Sequence, residues 1–190
     1  MRWTLPNILT WLRMLAIPLV VALFLWPAES LPQSTRNLFG TVLFVAAAVT
    51  DWVDGWLARR LGQSSAFGAF LDPVADKLLV CAALVLLLEL GRVSALVAVI
   101  IIGREITISA LREWMASAGA RASVAVHSVG KFKTAAQLTA IALLLYHDTL
   151  FGWFPTQQVG TWLIWVAAVL TLWSMMYYVR QAWPHIRDAA

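Results

Sequence analysis

Six long apolar runs punctuate the chain, at about Leu15 to Trp26, Leu38 to Leu57, Val74 to Leu90, Ala95 to Ala110, Ala135 to Phe151 and Val159 to Tyr178. With their flanks they approach the roughly 20 residues that an α-helix needs to cross hydrocarbon, so the pattern predicts six spans. The first run is short. Trp3, Leu5, Ile8, Leu9 and Leu12 precede it at helical spacing, flanked by Arg2 and Arg13, which predicts an N-terminal interfacial helix feeding the first span. Breakers fall between the runs: Pro27 and Pro32, then Gly62 and Pro73, Gly91, Gly119 and Gly130, and finally Gly152 and Pro155. The connections are short, and the expected fold class is all-α: a compact up-down polytopic membrane bundle without internal repeats.

Composition agrees with that pattern. Of 190 residues, 61% are hydrophobic and 13% charged, which excludes an ordinary soluble domain. Six helices would use nearly the whole length, so residues 1–190 are read as one transmembrane domain. The net charge of +4 is modest, and nucleic acid is a poor candidate partner. The distribution of charge says more. With a cytoplasmic N-terminus, Arg2, Arg59, Arg60, Arg112, Arg121, Lys131, Lys133, Arg180 and Arg187 fall on the cytoplasmic side, and Arg36 and Arg92 lie opposite with Glu29, Glu89 and Asp148. The positive-inside rule then places both termini in the cytoplasm, as an even number of spans requires. Pro6, Asn7, Thr10 and Arg13 interrupt the N-terminal apolar stretch, which argues against a cleaved signal peptide. Cys81, the single cysteine, lies inside an apolar run and is read as packing. Trp3, Trp11, Trp26, Trp153, Trp162 and Trp183 sit near span ends, where interfacial anchoring explains them better than ligand stacking. His127 is read as a solvated loop residue.

The candidate chemistry lies where the second span ends and the third begins. Asp51 and Asp54 are three apart, and on a helix they share a face with Gly55 and Ala58. Asp72 and Asp76 share a face of the next helix. Two carboxylates from each of two consecutive helices therefore meet at the cytoplasmic edge of the bundle. Each acid would cost about 2.5–3.5 kcal/mol at the bilayer centre, less toward the interface, and mutual repulsion adds to this. Divalent cations remove both penalties, and an oxygen-only donor set suits Mg²⁺ or Mn²⁺ rather than Zn²⁺. Such ions keep positions for phosphate oxygens, so the site reads as a holder for a metal-bound phosphate or pyrophosphate. Gly55 and Ala58 leave room for a group to approach the backbone, and Arg59 is placed to pair with phosphate.

The spacing resembles the CDP-alcohol phosphotransferase family, whose pattern D-x-x-D-G-x-x-A-R-x8-G-x-x-x-D-x-x-x-D is matched at Asp51, Asp54, Gly55, Ala58, Arg59, Gly68, Asp72 and Asp76. Three further segments resemble the members that use a glycerol phosphate acceptor: Leu5 to Arg13, Gly103 to Glu113, and Gly130 to Gln137. The resemblance implies Asp51, Asp54, Asp72 and Asp76 as ligands of two Mg²⁺ or Mn²⁺ ions, with Asp76 also the general base. It implies that Gly55, Ala58, Arg59 and Ser65, with Asp51 and Asp54, contact the CDP part of CDP-diacylglycerol, and that Asn7 and Thr10 close the nucleotide side. The acceptor would be sn-glycerol 3-phosphate and the setting a bacterial inner membrane, with a homodimer expected from the family.

A dianionic acceptor needs cations beyond the metal, and Arg104, Arg112, Lys131 and Lys133 are the candidates. Two plainer readings stand beside this one: Arg104 paired with Glu105 for structure, and Arg112, Lys131 and Lys133 serving topology and anionic lipid. Two rival functions also remain. One is the same chemistry with serine, inositol or phosphatidylglycerol as acceptor. The other is a divalent cation transporter built on intramembrane acids, which would place them near the midplane in symmetrical halves.

Overall fold

The computed structural model describes residues 5–27, 29–61, 66–117 and 128–189. Six helices follow one another: α1 (Leu5–Leu25), α2 (Gln33–Leu61), α3 (Ala66–Glu89), α4 (Ala95–Ser117), α5 (Ser128–Tyr146) and α6 (Thr156–Ala189). Of the residues expected to form an interfacial lead-in, Leu5, Ile8, Leu9 and Leu12 lie in the first turns of α1, which runs unbroken through Pro18, and Trp3 lies outside the described residues. A helix continues wherever backbone hydrogen bonds do, whatever the polarity of its side chains. For the same reason α2 and α6 extend well past their apolar runs.

A small hairpin, not predicted from the pattern, joins α5 to α6. β1 (Thr149–Leu150) pairs antiparallel with β2 (Phe154–Pro155), Thr149 opposite Pro155 and Leu150 opposite Phe154. Phe151 and Gly152 both have positive φ, 55° and 76°, and Trp153 N–H donates to Leu150 O across the turn. Two left-handed residues give the turn the twist that matches its strands, and glycine takes the second at no steric cost.

The helices bury one stripe each. On α1 the stripe is Thr10, Arg13, Val20 and Phe24, and it packs against α2 and α3. α5 packs against α6 and α2, α4 against α6, and the shared interior holds Leu84, Leu87, Ile101, Ile141 and Leu144. Small residues let the helices close up. The Phe24 ring lies against Gly40, where a Cβ would overlap it, and at Gly160 a Cβ would stand 2.9 Å from Leu144 Cγ.

Polarity is distributed in the reverse of a soluble bundle. Leu15, Val99, Ile106, Val169 and Trp173 face outward, each more than half exposed, whereas Arg13, Asn37, Lys133, Gln137 and Thr171 are buried. Among the described residues, large apolar side chains turned outward around a partly polar interior make the surface of a membrane protein. Among the described residues, two helices carry stretches long and apolar enough to span a bilayer, Ile8–Leu25 in α1 and Thr156–Trp183 in α6. α2, α3 and α4 carry charges along their length, and the apolar stretch of α5, Phe132–Tyr146, is shorter.

Opposite the acidic motif, polar contacts close the bundle. Arg92, between α3 and α4, donates from Nη1 to the carbonyls of Leu144 (3.1 Å) and Leu145 (2.7 Å), and from Nη2 to Asn37 Oδ1 (2.8 Å). Asn37 Nδ2 donates to Asp148 Oδ2 at 3.1 Å, and Arg36 Nη2 donates to Pro27 O. The two arginines that the charge pattern left on this side are thus employed internally, Arg92 satisfying carbonyls at the end of α5 that have no helical partner.

Candidate active site

The placement of the acidic motif follows from two helices joined by a short link. α2 ends at Leu61 and packs against α3, which starts at Ala66. Asp54 lies seven residues before Leu61 and Asp72 six after Ala66, so at the helical rise they stand at about one level, about 10 Å from the turn. Asp51 and Asp76 are each ten residues from it, about 15 Å. Counted along the two helices, Asp54 and Asp72 are thus about equally far from their helix ends, and Asp51 and Asp76 about one turn farther.

Asp72 and Asp76 are half-buried on one face of α3. Thr10, buried on α1, donates from Oγ1 to Asp72 Oδ1 at 2.7 Å, bringing a third helix to the motif. The side chains of Asn7, Asp51, Asp54, Gly55, Ala58, Arg59 and Lys131, and all of Ser65, lie outside the described residues. Of these, Asn7 is in the first turns of α1, Lys131 in the first turn of α5, and Asp51 to Arg59 in the second half of α2.

A donor set of carboxylate oxygens fits a hard divalent cation. No group of three such ligands occurs among the described side chains, which take in only Asp72 and Asp76 of the four acids. The structure holds the two described acids on one face of α3 and sets Asp51 and Asp54 in the second half of α2, which packs against it.

The cations proposed for the acceptor divide into two places. Arg104 on α4 and Lys133 on α5 both reach Glu105: Arg104 Nη1 to Oε1 at 2.9 Å and Lys133 Nζ to the same oxygen at 2.7 Å. The Lys133 side chain is 2% exposed. Arg104 Nη2 also donates to Ser174 Oγ of α6 at 3.3 Å. The trio carries two positive charges against one negative, which leaves a buried net cation able to attract phosphate. The Arg104–Glu105 pairing visible in the sequence is real, and Lys133 joins it. Arg112, about two helical turns beyond Glu105, has its own partner, with its guanidinium 5.2 Å from the Tyr178 ring centroid and Nη2 3.3 Å from the Tyr178 hydroxyl.

Three features escaped the sequence reading. The Thr10–Asp72 bond joins residues 62 apart and the Lys133–Glu105 bond residues 28 apart, and local periodicity carries no signal for either. Arg13, read as a flank of the first span, is 1% exposed inside the bundle. Its place in the helical stripe with Thr10 was the available clue.

A CDP-alcohol phosphatidyltransferase family profile matches residues 3–173. The chain is 47% identical to proteins named CDP-diacylglycerol--glycerol-3-phosphate 3-phosphatidyltransferase from Escherichia coli (strain K12), Shigella flexneri serotype 5b (strain 8401) and Salmonella choleraesuis (strain SC-B67). Each alignment extends over 190 residues, 99% of this chain and 100% of the relative. With the motif intact across α2 and α3 and the match running from end to end, the chain belongs to the CDP-alcohol phosphatidyltransferase family.

Proposed function

We propose that this chain transfers a phosphatidyl group from CDP-diacylglycerol to sn-glycerol 3-phosphate, forming phosphatidylglycerophosphate and releasing CMP. The observation that carries the reading is the full-length 47% identity to enzymes named for that reaction. The acidic motif, carried on α2 and α3, supplies its chemistry.

In this reading Asp51, Asp54, Asp72 and Asp76 hold two Mg²⁺ or Mn²⁺ ions, which when bound neutralise the pyrophosphate and the departing CMP. Thr10 holds the Asp72 carboxylate in place. Gly55 and Ala58 let the CDP group approach α2, Arg59 pairs with its phosphate, Ser65 contacts the CDP part, and Asn7 and Thr10 close the nucleotide side. Asp76 takes the proton of the acceptor hydroxyl, whose oxygen attacks the phosphorus attached to diacylglycerol. The bond from that phosphorus to the CMP oxygen breaks, and CMP leaves with its electron pair. Arg104 and Lys133, held together by Glu105, attract the phosphate of the acceptor, with Arg112 and Lys131 at the same end of α4 and α5.

The chain acts as a single domain of six spans with both termini and the active site cytoplasmic, in a bacterial inner membrane, as a homodimer. The outward apolar faces of the helices support the membrane setting. Purified protein supplied with CDP-diacylglycerol, Mg²⁺ and one acceptor at a time decides the reaction. CMP release with sn-glycerol 3-phosphate is expected. Release only with serine, inositol or phosphatidylglycerol would move the chain to another branch of the family.

A further inference from the structure

Arg13 is the largest fully buried side chain among the described residues, 1% exposed at a core position of α1. Its neighbours Leu12 and Leu15 face outward, 55% and 57% exposed, so burial singles out Arg13 and is no general property of that turn. A guanidinium withdrawn from water costs several kcal/mol unless an anion and hydrogen-bond acceptors receive it, so the location of the acids decides what it does.

Geometry points to one group of acids. Thr10 and Arg13 are three apart on one helix face, and Thr10 already touches Asp72. Arg13 lies about 4.5 Å deeper than Thr10, and helical side chains lean toward the N-terminus, so the guanidinium is carried back toward the level of the Thr10–Asp72 bond. Among the described residues, the other acids turned into the bundle are elsewhere. Glu105 is shared by Arg104 and Lys133, and Asp148 binds Asn37 at the opposite end. The α1 stripe packs on α2 and α3, the two helices that carry Asp51, Asp54, Asp72 and Asp76.

We propose that Arg13 is a positioning residue: a fixed positive charge, built into the deep wall of the acidic site, that holds its carboxylates together without metal and sets how tightly divalent cations bind. The inference rests on the reading of the four aspartates as a metal site. Arg13 touches neither substrate nor reacting atoms. Before metal binds, its charge offsets part of the repulsion among the acids. After metal binds, it repels the ions and keeps their affinity moderate. Arginine suits this role because its planar guanidinium presents five donors in a fixed fork and can meet several carboxylate oxygens at once, whereas lysine offers the same charge as a single point.

The test is Mn²⁺ binding to purified Arg13→Met and Arg13→Lys, followed by the electron paramagnetic resonance signal of free Mn²⁺ without lipid or acceptor, together with thermal melting in chelator and in saturating Mg²⁺. Removing a cation a few ångströms from a divalent ion should tighten Mn²⁺ binding in Arg13→Met by about tenfold or more. Its melting loss should be larger in chelator than in Mg²⁺. Arg13→Lys should bind Mn²⁺ within about threefold of wild type, since the charge is kept. Should Arg13→Met not fold, Arg13→Gln with and without Asp72→Asn replaces it: the double variant should melt above Arg13→Gln alone in chelator. Unchanged Mn²⁺ affinity in Arg13→Met, equal melting loss with and without metal, or a double variant no more stable than the single one would overturn the proposal. Wild-type protein that binds no Mn²⁺ would instead overturn the metal-site reading beneath it.

Discussion

The hydroxyl of Thr10 donates a 2.7 Å hydrogen bond to Asp72 Oδ1, fastening α1 to the acidic motif of α3. The carboxylate therefore has one oxygen oriented by a buried donor before any ligand arrives. A hydrogen bond to a charged group contributes about 1.5–3 kcal/mol. Thr10→Val should accordingly lower kcat/KM by about 10- to 100-fold, while Thr10→Ser retains most activity. Steady-state CMP release checks both, and a silent Thr10→Val would show that the bond has no part in turnover.

Asp76 is the general base in this account, so Asp76→Asn should abolish turnover. The variant should still fold and retain binding of CDP-diacylglycerol, because Asp51, Asp54 and Asp72 remain to hold metal. Size-exclusion chromatography in detergent and equilibrium binding of the donor lipid measure the two. Normal turnover would remove Asp76 from the base role.

Glu105 neutralises part of two buried cations through one oxygen. Glu105→Gln leaves Arg104 and Lys133 facing each other without a counter-charge, which costs about 3 kcal/mol or more and lowers the melting temperature by roughly 5–10 °C. Lys133→Met removes a cation and relieves that repulsion, so the double variant should melt above Glu105→Gln alone. It should also raise KM for glycerol 3-phosphate more than KM for the lipid. Equal rises for both substrates would make the trio structural.

At the opposite end, burial pushes the His147 imidazole below its ordinary pKa, the Arg92 charge adds to the shift, and Asp148 opposes it. The folded state thus favours neutral His147. The stability this contributes is complete above the unfolded value of about 6.5 and is lost as pH falls through the lower folded value. His147 sits at φ 59°, a conformation asparagine tolerates. His147→Asn should therefore fold normally and melt less steeply than wild type as pH is lowered from 7.5 to 5. Parallel melting curves would contradict the assignment.

Much of this was legible in the sequence, and the limits have physical causes. The apolar runs located the six helices of the described residues but misjudged their ends, because charged turns such as those at Arg59 and Arg60 or Arg180 to Arg187 continue the same backbone ladder. They also set Leu5, Ile8, Leu9 and Leu12 apart from the span that α1 continues into, and Thr10 and Arg13 in those turns belong to its buried stripe. The aspartate spacing was readable because two helical faces and one short link fix it locally. What joins the site across the bundle was not. Thr10 to Asp72, Lys133 to Glu105 and Arg112 to Tyr178 depend on which helices become neighbours. The hairpin after α5 was equally hidden, since it needs Phe151 in a left-handed conformation that phenylalanine rarely adopts.

CMP release by the purified protein from CDP-diacylglycerol, measured with sn-glycerol 3-phosphate before and after chelation of divalent metal, tests the central claim most directly. The account predicts release that needs the acceptor, stops on chelation and resumes when Mg²⁺ or Mn²⁺ is restored. Release that continues undiminished in excess chelator, or none with glycerol 3-phosphate at any metal concentration, would contradict it.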